Sequence, residues 1–221
     1  MVNTMEPLRI LIADDHQLVR NGIRALLESH AGWEICGEAR TGREAVVKAI
    51  ELTPDIVILD ISMPDLNGVD AARRIQMASK KTQVLILSAH YSDELIREII
   101  GSGVRGYVLK SDSDRELVIA VETLARHKPF FTSRVKDAMK SEFDTGLPPT
   151  SEITSGSRIT SREREIIQLL AEGNRGKEIA SSLDISIKTV EAHRCNVMRK
   201  LDLHTLSELV RYAMRNQIIE P

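Results

Sequence analysis

The first 128 residues alternate short apolar runs with stretches of helical period, and this alternation restricts the fold more than any other feature. Strands that alternate with helices predict a parallel sheet with helices on both faces. Residues 56–59 and 84–87 are apolar at every position, which is typical of central strands that are covered on both sides. The sequence therefore predicts a doubly wound domain of five βα units, and its apolar runs are LRILIA (8–13), WEICGEA (33–39), DIVILD (55–60), QVLILSA (83–89) and GYVLK (106–110).

The rest of the chain divides into a polar segment and a second helical region. The stretch SEFDTGLPPTSEITSGS (141–157) is rich in Pro, Gly, Ser and Thr and predicts a linker. Helical period resumes at Thr160, and three more short helices are predicted at about 177–183, 187–200 and 205–216. We expect an α/β domain over 6–128, a linker over 129–157 and an all-α domain of four helices over 158–221.

Three helix starts are legible as capping boxes, in which a Ser or Thr is followed three residues later by Glu. They are Thr41 with Glu44, Ser113 with Glu116, and Thr160 with Glu163.

Composition excludes several classes of protein. No apolar run approaches the ~20 residues that a membrane helix needs, and no basic region precedes the first apolar stretch as a secretory signal requires. Cys36 and Cys195 lie far apart without metal-ligand spacing, so we expect inert thiols. We therefore expect a cytoplasmic protein without a membrane partner.

Polar side chains follow four of the predicted strands at the point where each strand ends. Because the carboxyl ends of parallel strands form one crevice, these groups should meet there. Three carboxylates in one crevice repel each other unless a cation lies among them, and such hard oxygen ligands suit Mg²⁺. With Mg²⁺ and an ammonium group nearby, a carboxylate can act as nucleophile toward a phosphoryl group. The residues are Asp14 and Asp15 after the first strand, Asp60 after the third, Ser88 after the fourth and Lys110 after the fifth.

This ordered set resembles the receiver domains of bacterial response regulators, which have a flavodoxin-like fold. The resemblance covers residues 7–128 and includes MPDLNG behind Asp60, Ser88-Ala89, and Tyr107 three residues before Lys110. It implies that a sensor histidine kinase phosphorylates Asp60. It also implies a site in which Asp15, Asp60 and the backbone carbonyl of Ser62 hold Mg²⁺, Asp14 assists through water, and Ser88 and Lys110 bind the phosphoryl oxygens.

Other details of this domain stay open at the level of sequence. Tyr107 has two equally good interpretations. It can be a core residue, or it can be the aromatic residue that resembles the family's switch residue, whose ring turns inward when Ser88 moves toward the phosphoryl group. Pro64 and Gly68 fit a tight loop behind Asp60, in which Gly68 is free to adopt positive φ. Lys110 is followed by Ser111, where many receivers have proline, and this leaves the isomer of that peptide bond open.

Two rival α/β interpretations fail on specific residues. A flavin binder needs a phosphate loop after the first strand, where Asp14 and Asp15 would repel a phosphate. Phosphatases of the haloacid dehalogenase type have a second Asp two residues after the nucleophile, and here that residue is Ser62. A phosphoester-hydrolysing enzyme is therefore the second interpretation, and a kinase-independent binding module is the third.

The C-terminal segment has a different chemistry. From Arg158 onward it carries 11 Lys/Arg against 9 Asp/Glu. In SIKTVEAHRCNVMRKL (186–201), Val190, Val197 and Leu201 have the spacing of a buried face, whereas the facing of Cys195 is uncertain. KEIASSL (177–183) precedes this helix across a short turn, as in a helix-turn-helix. A small helical bundle for protein contacts is the alternative.

The motifs TSREREIIQLLAEG, KEIA, KTVEAHRCNVMRKL and ELVRYAMRNQII, in this order, resemble the LuxR-type DNA-binding domain that follows a receiver in the NarL/FixJ family. The resemblance implies operator DNA as a partner, with RNA polymerase as a further partner. It places Lys188, Thr189, His193 and Arg194 at the DNA and Lys200 at a phosphate or in water.

The last predicted helix carries one apolar stripe, part of which must cover the domain's own core. We expect its outer edge to pair with a second copy, because two-fold operators are commonly read by dimers. The stripe is Leu206, Leu209, Val210 and Ala213. The resulting interpretation is a dimeric, phosphorylation-dependent transcription regulator and not a turnover enzyme.

Overall fold

The computed structural model describes residues 6–89, 91–132, 135 and 159–219. The N-terminal domain contains one fully parallel sheet in the order β2-β1-β3-β4-β5-β6. Its strands are β1 (Leu8–Ala13), β2 (Trp33–Ala39), β3 (Ile56–Asp60), β4 (Gln83–Ser88), β5 (Gly106–Leu109) and β6 (Phe130–Phe131).

The five predicted strands are confirmed, and the sheet has one strand more. Every residue of β3 and β4 is buried, as their continuous apolar sequences indicated. The sixth strand, Phe130–Phe131, lies in the segment predicted as linker, and Phe130 N donates to Arg105 O at 2.8 Å. A strand of two residues has too little periodicity to be recognised in the sequence. The predicted linker 141–157 lies outside the described residues.

Helices cover both faces of the sheet, which confirms the doubly wound architecture. One buried apolar cluster joins the sheet to α2, α3 and α4, and a second joins it to α1 and α5. The helices are α1 (Gln17–Glu28), α2 (Gly42–Leu52), α3 (Gly68–Ala78), α4 (Asp93–Gly101) and α5 (Ser113–Ala125).

Two of the three predicted helix caps are confirmed. The Thr41 side chain accepts from Glu44 N, and Thr160 with Glu163 forms a complete capping box. The prediction for Ser113 is wrong, because a 3-10 turn over Lys110–Asp112 runs directly into α5 and makes Ser113 its first helical residue. Ser113 Oγ instead donates to Lys110 O at 2.9 Å.

The C-terminal domain consists, within the described residues, of four short helices around a separate apolar core. Val190 and Val197 are fully buried in that core, as their spacing predicted. The helices are α6 (Ser161–Ala171), α7 (Gly176–Ser182), α8 (Ile187–Lys200) and α9 (Leu206–Arg215). Among the described helices of both domains, none combines the length and the apolar character that crossing a membrane requires.

Candidate functional sites

The strand order brings the predicted polar residues together at one edge of the sheet. The central strand β3 lies between β1 and β4, with Ala13 opposite Leu59 and Asp60 opposite Leu87. Asp14 therefore follows β1 directly beside Asp60. Ser88 lies opposite Leu109, one residue before Lys110. The register thus places all the strand-end residues at one edge of the sheet, as the sequence predicted.

Lys110 lies between two buried carboxylates. Its Nζ atom is 2.8 Å from Asp14 Oδ2 and 3.0 Å from Asp60 Oδ2. Asp14 is 1% exposed and Asp60 is 2% exposed, so water solvates these carboxylates little, and Lys110 provides a compensating positive charge. The sequence assigned Lys110 to the phosphoryl oxygens, whereas its additional contact with Asp14 was not predicted. The Lys110–Ser111 peptide bond is trans.

The charge balance of this crevice is reflected in two pKa values. Burial raises the pKa of the Asp60 carboxyl to about 6; the Lys110 ammonium opposes this rise, and the Asp14 carboxylate adds to it. For Lys110, burial lowers the pKa, but the Asp60 and Asp14 carboxylates outweigh that effect and raise it. For Asp60, the effect of burial on the pKa thus exceeds the opposing effect of the Lys110 ammonium.

The carboxylates have the arrangement that a divalent cation needs. Ligand atoms of Asp14, Asp15, His16 and Asp60 all lie within 4.8 Å of one another. Asp14 Oδ2, Asp15 Oδ1 and Asp60 Oδ2 accept no hydrogen bond of good geometry from the described residues, although Lys110 or His16 nitrogens lie close to them. Buried acceptor oxygens of this kind fit Mg²⁺, which prefers oxygen ligands.

Sequence reasoning overlooked His16, which directly follows the Asp pair. Its Nδ1 atom lies 2.8 Å from Asp15 Oδ1, and its backbone N–H donates to Asp14 Oδ1 at 2.8 Å. The signal that could have found it is the sequence Asp-Asp-His itself. Ser62, whose carbonyl is the remaining predicted ligand, lies half-buried in the loop after Asp60, and its role stays a prediction.

The first residue of the loop Ile61–Asn67 is hydrogen-bonded to the Asp60 carboxylate. Ile61 N donates to Asp60 Oδ1 at 2.8 Å, and Gly68 N donates to Ile61 O at 2.8 Å. The expectation of positive φ at Gly68 is wrong, because in this loop Asp65 has the positive φ, 66°. A Cβ atom on Gly68 would lie 2.0 Å from Asp60 O, so close backbone approach is what requires glycine there.

Ser88 and Tyr107 are both buried. Ser88 is the last residue of β4, and its predicted contact with the phosphoryl oxygens stays a prediction. Tyr107 is fully buried in the apolar cluster on the α2–α4 side of the sheet. In this position the ring packs in the apolar core. Its role as the aromatic residue that responds to phosphorylation stays a prediction.

The second helix of the helix-turn-helix, α8, presents a continuous exposed stripe. Lys188 lies on this stripe, whereas Thr189, His193 and Arg194 are partly buried at its border. The Thr189 hydroxyl is 2.8 Å from Ser186 Oγ, which caps the helix. The sequence did not single out the C-terminal half of the stripe. Its exposed residues are Lys188, Glu191, Ala192, Cys195, Asn196 and Arg199.

Lys200 has a defined partner inside its own domain. Its Nζ atom lies 2.7 and 2.8 Å from the two carboxylate oxygens of Glu163, the residue that completes the cap of α6. This ion pair joins the end of α8 to the start of α6. The predicted DNA contact of Lys200 therefore competes with an intramolecular bond, and it stays a prediction.

Replacing Glu163 by Gln is expected to destabilise the protein by about 1 kcal/mol at neutral pH, since it weakens the Lys200 pair and the cap. Burial raises the pKa of Glu163, but the bonds from Lys200 and Thr160 outweigh it and lower the pKa. A lowered carboxyl pKa stabilises the fold above the unfolded-state pKa, and this contribution is lost as pH falls through the folded-state pKa. Thermal melts should show a larger difference in melting temperature between wild type and variant at about pH 7 than at about pH 3. A pH-independent difference would contradict this assignment.

The predicted dimer stripe on α9 needs a correction. Leu209 and Ala213 are fully buried in the core of their own domain, so they have no surface for a second copy. Leu206 is 47% exposed and Val210 is partly buried. The helical period identified the stripe correctly but could not tell which part the other helices of the domain cover. Of the predicted stripe, only Leu206 and Val210 keep surface that a second copy could contact.

Comparison with known families agrees with this geometry. Residues 10–122 match the response regulator receiver domain, and residues 157–213 match bacterial regulatory proteins of the luxR family. The chain belongs to the two-domain response regulators of the NarL/FixJ family, with a receiver and a LuxR-type DNA-binding domain. Proteins of this family are DNA-binding switches and not turnover enzymes.

Several relatives resemble the whole chain. The oxygen regulatory protein NreC of Staphylococcus epidermidis is 36% identical over 218 residues, which cover 96% of this chain and 100% of that protein. NreC of Staphylococcus carnosus is 35% identical over 216 residues, with the same coverage of both chains. The match thus extends across both domains.

Solved structures show the same architecture. A structure of the RcsB response regulator of Salmonella typhimurium has a TM-score of 0.65 at 25% identity and covers 94% of this chain and 97% of that one. A complex of RcsB with DNA has a TM-score of 0.57 at 25% identity, with 93% and 97% covered. A LuxR-family regulator from Aurantimonas has a TM-score of 0.59 at 31% identity and covers 62% of this chain and 99% of that one.

Proposed function

We propose that Asp60 accepts a phosphoryl group from a sensor histidine kinase and that this modification controls dimerisation and operator binding. The observation that carries the proposal is the position of Asp60, buried at the carboxyl end of the central strand with Lys110 Nζ 3.0 Å away. Incubation with acetyl phosphate and Mg²⁺, followed by intact-mass measurement, tests it. A chain that binds DNA but is never phosphorylated would instead be a kinase-independent binding module.

The chemistry follows from the groups around Asp60. A carboxylate oxygen of Asp60 attacks phosphorus, the bond from phosphorus to the kinase's histidine nitrogen breaks, and its electron pair stays on that nitrogen. The product is an acyl phosphate on Asp60. Lys110, whose Nζ atom is 3.0 Å from Asp60 Oδ2, and Ser88 at the end of β4 would bind the phosphoryl oxygens.

The metal contributes charge neutralisation for the phosphoryl oxygens when it is bound. Asp15, Asp60 and the Ser62 carbonyl would hold Mg²⁺, with Asp14 assisting through water. Receiver domains in general bind Mg²⁺ at an acidic pocket, and the Asp cluster described above supports the same use here.

The exposed stripe of α8 is the surface that would enter the major groove of operator DNA. The family match and the RcsB–DNA complex support DNA as the partner. RcsB is also described as dimers bound to DNA, which supports a dimer of this chain. Such a regulator would work in the cytoplasm beside the DNA, and an activator of transcription would also contact RNA polymerase.

Replacing Lys188 or Arg194 by Ala is expected to weaken operator binding by about tenfold each, because a lost base or phosphate contact removes direct affinity. The operator would be selected from random DNA with the wild-type protein, and binding measured by fluorescence anisotropy at fixed salt. Lys128→Ala removes the same charge from an exposed site on the receiver and should bind normally. Equal affinity of all four proteins would exclude α8 as the recognition helix.

A further inference from the structure

Helix α6 of the DNA-binding domain lies against the receiver through buried polar residues. Glu165 of α6 is 0% exposed, and its carboxylate contacts Arg43 of α2 at 2.5 Å and Arg74 of α3 at 2.9 Å. Buried charges are normally paired, and here the partners of Glu165 come from both domains. These contacts fix α6 on the α2–α3 side of the sheet.

One turn further along α6, Gln168 binds the backbone of the receiver loop Ile61–Asn67. Its Nε2 atom donates to Met63 O at 2.8 Å, and its Oε1 atom accepts from Asn67 N at 2.8 Å. Gln168 is 1% exposed, so both bonds are shielded from water. Glu172 Oε1 accepts from Gln168 Nε2 at 2.8 Å and from Asp65 N at 3.3 Å. Three backbone groups of one loop are therefore bound by α6 and by Glu172, the residue that caps its C-terminal end.

The other end of the same loop is bound to Asp60. Ile61 N donates to Asp60 Oδ1 at 2.8 Å, and Asp60 Oδ2 is 3.0 Å from Lys110 Nζ. A phosphoryl group on Asp60 adds negative charge and new acceptor oxygens at this place. Ile61 N and Lys110 must then regroup around those oxygens. Because Ile61 is the first residue of the loop, this regrouping moves the segment to which Gln168 is hydrogen-bonded.

We propose that Gln168 is a positioning residue that acts from the DNA-binding domain on the phosphoacceptor loop. It holds the loop, including Ser62, in the arrangement of the unphosphorylated receiver. When the loop moves, Gln168 cannot keep both of its bonds to the loop; Nε2 still donates to Glu172, but a buried Oε1 that loses Asn67 N is unfavourable. Movement of the loop and release of α6 are therefore one event. This inference rests on the proposed phosphorylation of Asp60.

The coupling must act in both directions. If a phosphoryl group or Mg²⁺ favours release of α6, then loss of the α6 contact favours binding of either one by the same factor. The role of Gln168 is thus distinct from that of Glu165, whose receiver partners lie on α2 and α3 and not on the loop. This difference provides a matched pair of variants in the same helix.

The test compares full-length Gln168→Met with Glu165→Gln. Methionine keeps the side-chain length but loses both bonds to the loop and the bond to Glu172. Hydrogen exchange of interface amides reports how far each variant releases α6, and calorimetric titration with Mg²⁺ alone reports the state of the loop. Gln168→Met is expected to bind Mg²⁺ and to react with acetyl phosphate about fivefold more readily than wild type. Glu165→Gln, which weakens the docking of α6 but keeps both bonds from Gln168 to the loop in the docked state, should change both less than Gln168→Met does.

The outcomes separate this inference from the proposed function. Suppose that wild type is phosphorylated on Asp60. If Gln168→Met then has the Mg²⁺ affinity and phosphorylation rate of wild type, Gln168 has only a structural role. The same conclusion follows if these two quantities equal those of Glu165→Gln when both variants release α6 to the same extent. If wild type is not phosphorylated at all, the proposed function fails, and the Mg²⁺ titration still decides whether Gln168 acts on the loop. Lower Mg²⁺ affinity in Gln168→Met would overturn the proposed direction of the coupling.

Discussion

Asp60→Asn is expected to abolish phosphorylation of the full-length protein by acetyl phosphate and Mg²⁺. An amide lacks the anionic oxygen that attacks phosphorus, while its size preserves the packing at the end of β3. Intact-mass measurement should show one added phosphoryl group on the wild type and none on the variant. Excess chelator should suppress the reaction of the wild type as strongly as the substitution does.

Asp65→Asn is the matched control for this experiment. Asp65 lies in the same loop, five residues from Asp60, and asparagine tolerates its positive φ of 66°. Its phosphorylation should equal that of the wild type. Full phosphorylation of the Asp60 variant, or normal reaction in the presence of chelator, would show that another residue is the acceptor or that the carboxylates hold no metal during the reaction.

Gly68→Ala is expected to destabilise the protein strongly, by about 3 kcal/mol or more. The new Cβ atom would lie 2.0 Å from Asp60 O and 2.9 Å from Ile61 Cα, and both of these are backbone atoms of a buried segment. Neither can move without disturbing the central strand. Chemical or thermal unfolding of the full-length protein measures the change in the free energy of unfolding.

Gly22→Ala is the opposite control. Gly22 lies in the middle of α1, and a Cβ atom there would meet no atom within 4 Å. Alanine in a helix interior is favoured over glycine by about 1 kcal/mol, so this variant should be more stable than wild type. If Gly68→Ala unfolds like the wild type, the loop is far more deformable than its buried contacts indicate.

The sequence was most informative where the requirement for burial is strict. The fully apolar strands 56–59 and 84–87 could be placed at the centre of the sheet because polar residues are excluded there. Once these strands were placed, parallel order alone brought Asp14, Asp60 and Lys110 to one edge. The fold and most of the candidate site were predictable for this reason.

Contacts between distant segments could not be predicted in the same way. Glu165 and Gln168 are polar residues on an amphipathic helix, and in the sequence they resemble any solvated face. Their burial depends on the receiver surface, which only the tertiary structure reveals. Leu209 and Leu206 have the same periodicity, yet only Leu209 is covered by its own domain. The requirement at Gly68 likewise arises from a backbone neighbour, Asp60 O, that no local pattern indicates.

The central position of β3 has a mechanical consequence for Asp60. This residue terminates a strand that is hydrogen-bonded to a neighbour on each side and buried at every position. A chemical change at such a place can hardly displace its own backbone. Motion must instead occur in the irregular segments around it, which have fewer fixed neighbours. The receiver thus keeps the backbone of Asp60 in place, and under the proposed function a phosphoryl group on Asp60 would act on the rest of the protein through the surrounding loops.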